Sequence, residues 1–377
     1  GAQQENGAVT YFLANHTTAR VMDAASRVLL ASPLECAQCH DHPYTHWEQR
    51  DYWGFAGFFN AVDRSDIDRK TGILVIKPGV SSVTERTATL QISLPSPNPK
   101  TKGERIPARF LGAEPLPPAD GQPVFARPLA AAWMTAEDNP YFARAMVNRT
   151  WWQFFGRGLV NPVDDMFKPE AAATHPELLE ALAAQFVASG FDVKHLSRAL
   201  ANSQAYQRTS QPGKGNQSDN QYYSRMPIKV LTPEQLWDSL VSLFRREPEM
   251  PPRRLGRVLL VAQNGVPTTP RGEFVGFFLG DTASAPTNYT QGIPHALRLL
   301  NGLQFNNVEE LLARIARPGE DPVVAVEALY LATLSRRPMP AESRYMTDYI
   351  ERQDNRQAAC ADILWALLKS SEFVMNH

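Results

Sequence analysis

The sequence predicts a mainly α fold in three parts: a multi-helix N-terminal region, a small β-containing and irregular connector, and a larger helical C-terminal domain. Three observations predict it. Apolar residues recur at spacings of three and four over most of the chain. Residues 63–128 break that rhythm with β-branched alternation and then a proline-rich run. Beyond 129 the helical period returns, and helix-start signatures recur with it. The boundaries drawn are 1–62, 63–128 and 129–377.

In chain order, residues 9–31 read as one helix, with Val21, Ala24-Ala25 and Val28-Leu29 on a stripe and Ser32-Pro33 ending it. Pro43 breaks the chain again. Thr45-His46-Trp47-Glu48 reads as a capping box in which Thr45 caps and Glu48 reaches back. The helix it opens runs to about Val62, with Tyr52, Phe55, Phe59 and Val62 on its apolar stripe. Gly72–Pro78 and Val83–Leu94 read as strands, and Pro95–Pro128 as an irregular connector. Asp63, Asp66 and Asp68 lack the spacing of a calcium loop and read as a solvated turn.

Leu129–Thr135 is a short helix. Asn139-Pro140 reads as N-cap plus proline at the first helical position, before a helix that stops at Gly156-Arg157-Gly158. Thr174-His175-Pro176-Glu177 reads as a second capping box, opening a helix ended by Gly190. Val193–Tyr206 is helical, and the polar run 207–227 reads as a surface or partly disordered loop. Thr232-Pro-Glu-Gln235 caps the next helix. After a mixed stretch with an aromatic run at Phe274, Phe277 and Phe278, helices are expected near 294–303, 307–316, 321–335, 340–353 and 356–373.

Composition narrows the function classes. The 377 residues are 43% hydrophobic and 20% charged, with a net charge of −1, so the basic footprint of a nucleic-acid binder is missing. No run approaches the ~18 apolar residues of a membrane span. The 30 prolines point to long ordered loops. The chain shows no nucleophile elbow, H-E-x-x-H, P-loop or Rossmann fingerprint. It opens without Met or a signal-peptide pattern, and reads as a fragment or processed product.

The motif that carries chemistry is Cys36-Ala-Gln-Cys39-His40, a C-x-x-C-H pentad using two of the three cysteines. This is the attachment signature of one covalent haem c. Each thiolate reaches one vinyl group of the porphyrin, and His40 binds the iron from one face. Three other readings stand beside it. Cys36, Cys39, His40 and His42 could hold zinc, though four ligands within seven residues are cramped. A redox dithiol expects a preceding strand where this chain has a helix. The last is coincidence, with two buried free thiols. Covalent haem attachment occurs outside the bacterial cytoplasmic membrane, so a used pentad implies a periplasmic or extracellular protein. Cys360, in an apolar helical run, reads as a buried inert thiol.

With these residues in view, Glu35-Cys-Ala-Gln-Cys-His-Asp-His-Pro43, Trp47 and Asp51-Tyr-Trp-Gly-Phe-Ala-Gly-Phe-Phe59 closely resemble the planctomycete cytochrome c-like domain family. The second half resembles its companion, a planctomycete-specific domain of unknown function. The stretches that carry this likeness include Asn139–Arg149, Phe155–Val160, Phe191–His195, Leu231–Trp237 and Ser370–Phe373. The resemblance implies export and the c-type reading of the pentad. It implies no reaction.

The second axial position of the iron decides between functions. His42 is too close to His40 to swing round a porphyrin. His46, His195 and His377 are the candidates, while Met134, Met146 and Met166 read as core. A closed six-coordinate iron means an electron carrier, with a redox partner protein or copies of itself in an assembly. An open face means a haem enzyme or sensor. A third reading is a secreted structural scaffold, associated with polysaccharide or a cell surface, in which haem or zinc staples the fold. Electron transfer is the expectation carried forward.

Overall fold

The computed structural model describes residues 11, 15, 17–59, 90–96, 100–117, 126–168, 171–244, 269–279 and 308–376, with the backbone alone at 65–67 and 74–76. The fold is mainly helical, as the periodicity predicts, and it divides into two compact units, Gly1–Pro227 and Ile228–His377.

In the first unit, α1 (Thr18–Ala24) begins where the Thr17 hydroxyl accepts from the Arg20 N–H at 3.3 Å. The single long helix expected here is not what forms. The chain widens into a π-helical turn, Ala25–Leu29, and ends on Ala31 at φ 47°. The Ser32 N–H then closes onto the Ser26 carbonyl at 2.9 Å, a Schellman-like closure widened by the π turn. A 3-10 turn, Glu35–Gln38, follows, and then α2 (Gln49–Ala56), which tightens into a 3-10 turn at Gly57–Phe59.

The N-terminus of α2 is displaced from the sequence reading. Glu48, not Thr45, is the N-cap, and the Asp51 carboxylate accepts from the Glu48 N–H at 2.9 Å. Asp51 also pairs with Arg109 at 3.1 Å, a partner distant in sequence that local pattern cannot reveal.

Strand β1 (Ser65–Ile67) pairs antiparallel with β2 (Leu74–Ile76), Ser65 opposite Ile76. Strand β3 (Gln91–Ser93) pairs antiparallel with β4 (Arg105–Pro107), Ile92 opposite Ile106. The second hairpin corrects the sequence reading, because β4 lies in the stretch expected to be irregular. Three residues alternating exposed, buried and half-buried are too short to register as a period. Asp63 and Asp68 lie outside the described residues.

Helix α3 (Ala126–Met134) brings Trp133 against Phe55 and Phe110, and Phe110 stacks on Phe58 at 4.7 Å. These rings join Val21, Met22, Leu30, Leu34, Tyr52 and Ile92 in the first core. The second core gathers around α4 (Phe142–Phe155), α5 (Pro176–Ala188) and α6 (Val193–Ala201), with Trp151, Phe155, Phe186, Leu196 and Tyr223 inside.

Asn139 caps α4 as its residue type suggests, its Oδ1 accepting from the Tyr141 and Phe142 N–H groups at 3.0 and 2.9 Å. Pro140 therefore precedes the helix instead of heading it. Thr174 does not cap α5, because its hydroxyl donates to the Leu159 carbonyl at 3.2 Å. The 207–227 run is an ordered loop. Tyr223 is buried and donates to the Gly158 carbonyl at 2.8 Å, and Asp219 accepts from three backbone N–H groups, those of Gln221, Tyr222 and Ser224.

The second unit has its own core. Helices α7 (Pro233–Phe244), α8 (Pro270–Leu279), α9 (Glu309–Ile315), α10 (Pro322–Leu334), α11 (Pro340–Arg352) and α12 (Arg356–Leu368) surround Trp237, Phe274, Phe278, Leu329 and Leu364. The capping box of α7 forms as read: the Gln235 N–H donates to Thr232 Oγ1, and the Thr232 N–H to Gln235 Oε1. Of the aromatic run, Phe274 and Phe278 are buried and Phe277 is exposed. Strands β5 (Lys229–Val230) and β6 (Met375–Asn376) pair antiparallel. Residues 294–303 lie outside the described part.

Candidate functional site at the C-x-x-C-H turn

The pentad begins on the 3-10 turn between α1 and α2. In 3-10 geometry, side chains three residues apart eclipse, separated by about 6 Å of rise. That brings Cys36 toward the same side as Cys39, the residue ending the turn. Both thiols are free and exposed, so two buried free thiols do not describe this site. Between them Ala37 is buried and points inward.

Helix α2 fixes the turn. The Gln38 carbonyl accepts from the Trp53 indole N–H at 3.0 Å and from the Gln49 amide at 3.1 Å. Asp41 Oδ1 accepts from the Gln49 N–H at 3.0 Å, and the His42 N–H donates to the Trp47 carbonyl at 2.8 Å. The aromatic helix thus serves as core through Tyr52 and Phe55, and as a clamp on the pentad through Trp53.

The two histidines here differ in tautomer. His40 is exposed, and its Nδ1 lies 2.8 Å from the Asp41 carbonyl oxygen. A carbonyl only accepts, so Nδ1 carries the proton and the Nε2 lone pair is available to a metal. His42 is the reverse: its Nδ1 accepts from the Tyr44 N–H at 3.3 Å, which places the proton on Nε2. Burial lowers the His42 pKa.

Among the described residues, no three His, Cys, Asp or Glu side chains are grouped as a metal-ion site. Haem c would need no such group, because two thioethers tether the porphyrin and one imidazole binds the iron. Cys36, Cys39 and His40 fit that cofactor: two accessible thiols on one turn, and one imidazole in a ligating tautomer.

Of the candidates for the second axial position, His46 is exposed with its ring 4.2 Å from that of Trp47, and His195 is exposed in the first turn of α6. His377 lies outside the described residues. Met166 is buried, as a core methionine should be. Cys360 is also buried, and burial pushes its thiol pKa up, toward the inert form.

Of two further residues, Tyr52 was read only as part of an apolar stripe, and Asp23 was not singled out. Asp23, in the last turn of α1, is half-buried, and its Oδ1 is fully enclosed, with the Tyr52 hydroxyl facing the carboxylate. The Tyr52 hydroxyl is enclosed in the same way. Burial, with Glu35 adding repulsion, raises the Asp23 pKa to about 6. The signal in the sequence was a carboxylate directly beside the apolar positions Val21, Met22 and Ala25.

Residues 2–64 match the family described as PSCyt2, a protein of unknown function (DUF1549), and residues 126–250 match PSD1, a protein of unknown function (DUF1553). This is the planctomycete-type domain pair. No curated protein and no solved structure matches the chain.

Proposed function

We propose that the chain is an exported, mono-haem c-type protein whose role is electron transfer. The observation that carries this reading is the His40 tautomer on a turn with two exposed cysteines: Nδ1–H is spent on the Asp41 carbonyl, and Nε2 is left to bind iron. Cys36 and Cys39 would form the thioethers. The bound haem would supply a one-electron redox centre. The protein's own part is to hold the turn through Trp53 and Gln49, and to exclude water on the inward side with Ala37, Tyr52 and Phe55.

The tautomers favour haem over zinc. A zinc site at this cluster needs a lone pair from His42, whose Nδ1 is occupied and whose Nε2 carries a proton. No helix among the described residues is long and apolar enough to cross a membrane. Export follows from the chemistry proposed for the pentad.

The test is an absorption spectrum, reduced and oxidised, with an intact mass, on protein matured by a host that attaches haem c. A c-type α band and the added mass of one haem are expected, both lost in the Cys36→Ala/Cys39→Ala variant. Two free thiols, or bound zinc, in the matured protein would overturn the reading. Carbon monoxide leaves the reduced spectrum of a closed carrier unchanged; a shifted Soret band would assign the site to an enzyme or sensor instead.

A further inference from the structure

One peptide unit joins the His40 ring to the start of α2. The Asp41 carbonyl accepts from His40 Nδ1 at 2.8 Å. The N–H of the same peptide unit, that of His42, donates to the Trp47 carbonyl at 2.8 Å. A trans peptide unit is planar, with its C=O and N–H pointing opposite ways. A hold on the N–H therefore also aims the carbonyl at the imidazole. Trp47 is buried, so this anchor is set by the core.

The Asp41 side chain holds the unit from a second direction. Its Oδ1 accepts from the Gln49 N–H at 3.0 Å, one of the orphan donors at the start of α2. The helix already has a local cap in Glu48 and Asp51, and Asp41 reaches Gln49 across eight residues. The contact is thus not needed to start the helix. What it adds is a fixed place for the backbone that faces His40. Both His40 and Asp41 are exposed, so hydrogen bonds and not packing fix the ring.

We propose that Asp41 is the positioning residue for His40. Held at the start of α2, it aims its own carbonyl at Nδ1, keeps the proton there and Nε2 free, and so sets the basicity of the imidazole offered to iron. Only that last step rests on the haem reading above. A ring whose Nδ1–H is hydrogen-bonded is the more basic ligand, and a more basic ligand favours the oxidised, more positive iron.

The experiment has two arms. In the haem-free full chain, long-range proton–nitrogen NMR at about pH 8, where an ordinary His is neutral, reads the His40 tautomer. The wild type should carry the proton on Nδ1, and Asp41→Ala should shift it toward Nε2. In the haem-loaded chain, Asp41→Ala should raise the midpoint potential, by up to about tenfold in the reduced-to-oxidised ratio, or about 59 mV for one electron. Asp41→Asn removes the charge but keeps an oxygen to accept from the Gln49 N–H, and should match the wild type in both arms. A wild-type proton on Nε2, or an unchanged tautomer in Asp41→Ala, overturns the proposal. Equal potential shifts in Asp41→Ala and Asp41→Asn overturn it too, because lost charge then explains both. A matured protein without a haem band sinks the haem reading and leaves the NMR arm to decide on Asp41. A haem band with tautomer and potential unchanged in Asp41→Ala sinks the positioning role alone.

Discussion

At the scale of single residues, enclosed polar atoms separate fully paired groups from partly paired ones. Asn148 is fully buried, and its amide satisfies both backbone groups of Val160, donating at 2.9 Å and accepting at 3.0 Å. Asn148→Ala leaves a buried N–H and C=O unpaired and is expected to cost about 3 kcal/mol. Chemical denaturation checks this, and a loss below about 1 kcal/mol would mean that water replaces the amide. Asp23 behaves oppositely, since burial and the nearby Glu35 outweigh the help its anion gets from Tyr52 and Arg27. Its folded-state pKa, about 6, exceeds the ordinary 3.8, so the folded state binds the proton more tightly than the unfolded chain. The stability it contributes is fully present below pH 3.8 and lost as pH rises through 6. After discounting for solvent screening, the swing is about 1–2 kcal/mol. Asp23→Asn should remove that swing, raising stability at pH 8 relative to the wild type. An unchanged pH–stability curve in the variant would assign the swing to another group.

At the scale of elements, caps show what local sequence reveals and what it does not. The α7 capping box was legible because its partners, Thr232 and Gln235, are three residues apart. The box at Thr45 was equally legible and wrong, because Asp51 satisfies the Glu48 N–H while reaching Arg109 at 3.1 Å. Thr45→Ala is therefore expected to change stability by less than about 0.5 kcal/mol. Asp51→Ala should cost about 1–2 kcal/mol, from a lost cap and a half-buried ion pair. Equal effects in the two variants would restore the sequence reading. The same logic covers the π turn at Ala25–Leu29 and strand β4. Both are set by tertiary packing over too few residues to leave a period in the chain. Of the candidate site, the cysteines and His40 were legible as a motif. The His40 tautomer was not, because it depends on where one carbonyl points.

At the scale of the whole molecule, the division after Pro227 separates two kinds of stability. The pentad's turn, the Asp23–Tyr52 pair and both aromatic-rich cores belong to Gly1–Pro227. Ile228–His377 closes on its own apolar set, from Leu236 and Trp237 through Val326 and Leu329 to Leu364 and Val374. Its ends are joined, because β5 near the start pairs with β6 near the finish. Arg336 pairs with both Glu342 and Glu372, fixing the α10–α11 connection to the segment after α12. A core of this size, about 150 residues of chain, is within the range that folds alone. The fragment 228–377 is therefore expected to be helical by circular dichroism and to unfold in one cooperative transition. Leu329→Ala, at a site with no exposed surface, should destabilise that fragment by about 2–5 kcal/mol. A fragment without a cooperative transition would mean that its core needs the first unit. In the full chain the same substitution should leave the haem spectrum and its midpoint potential unchanged, because the proposed redox chemistry rests on residues of the first unit alone.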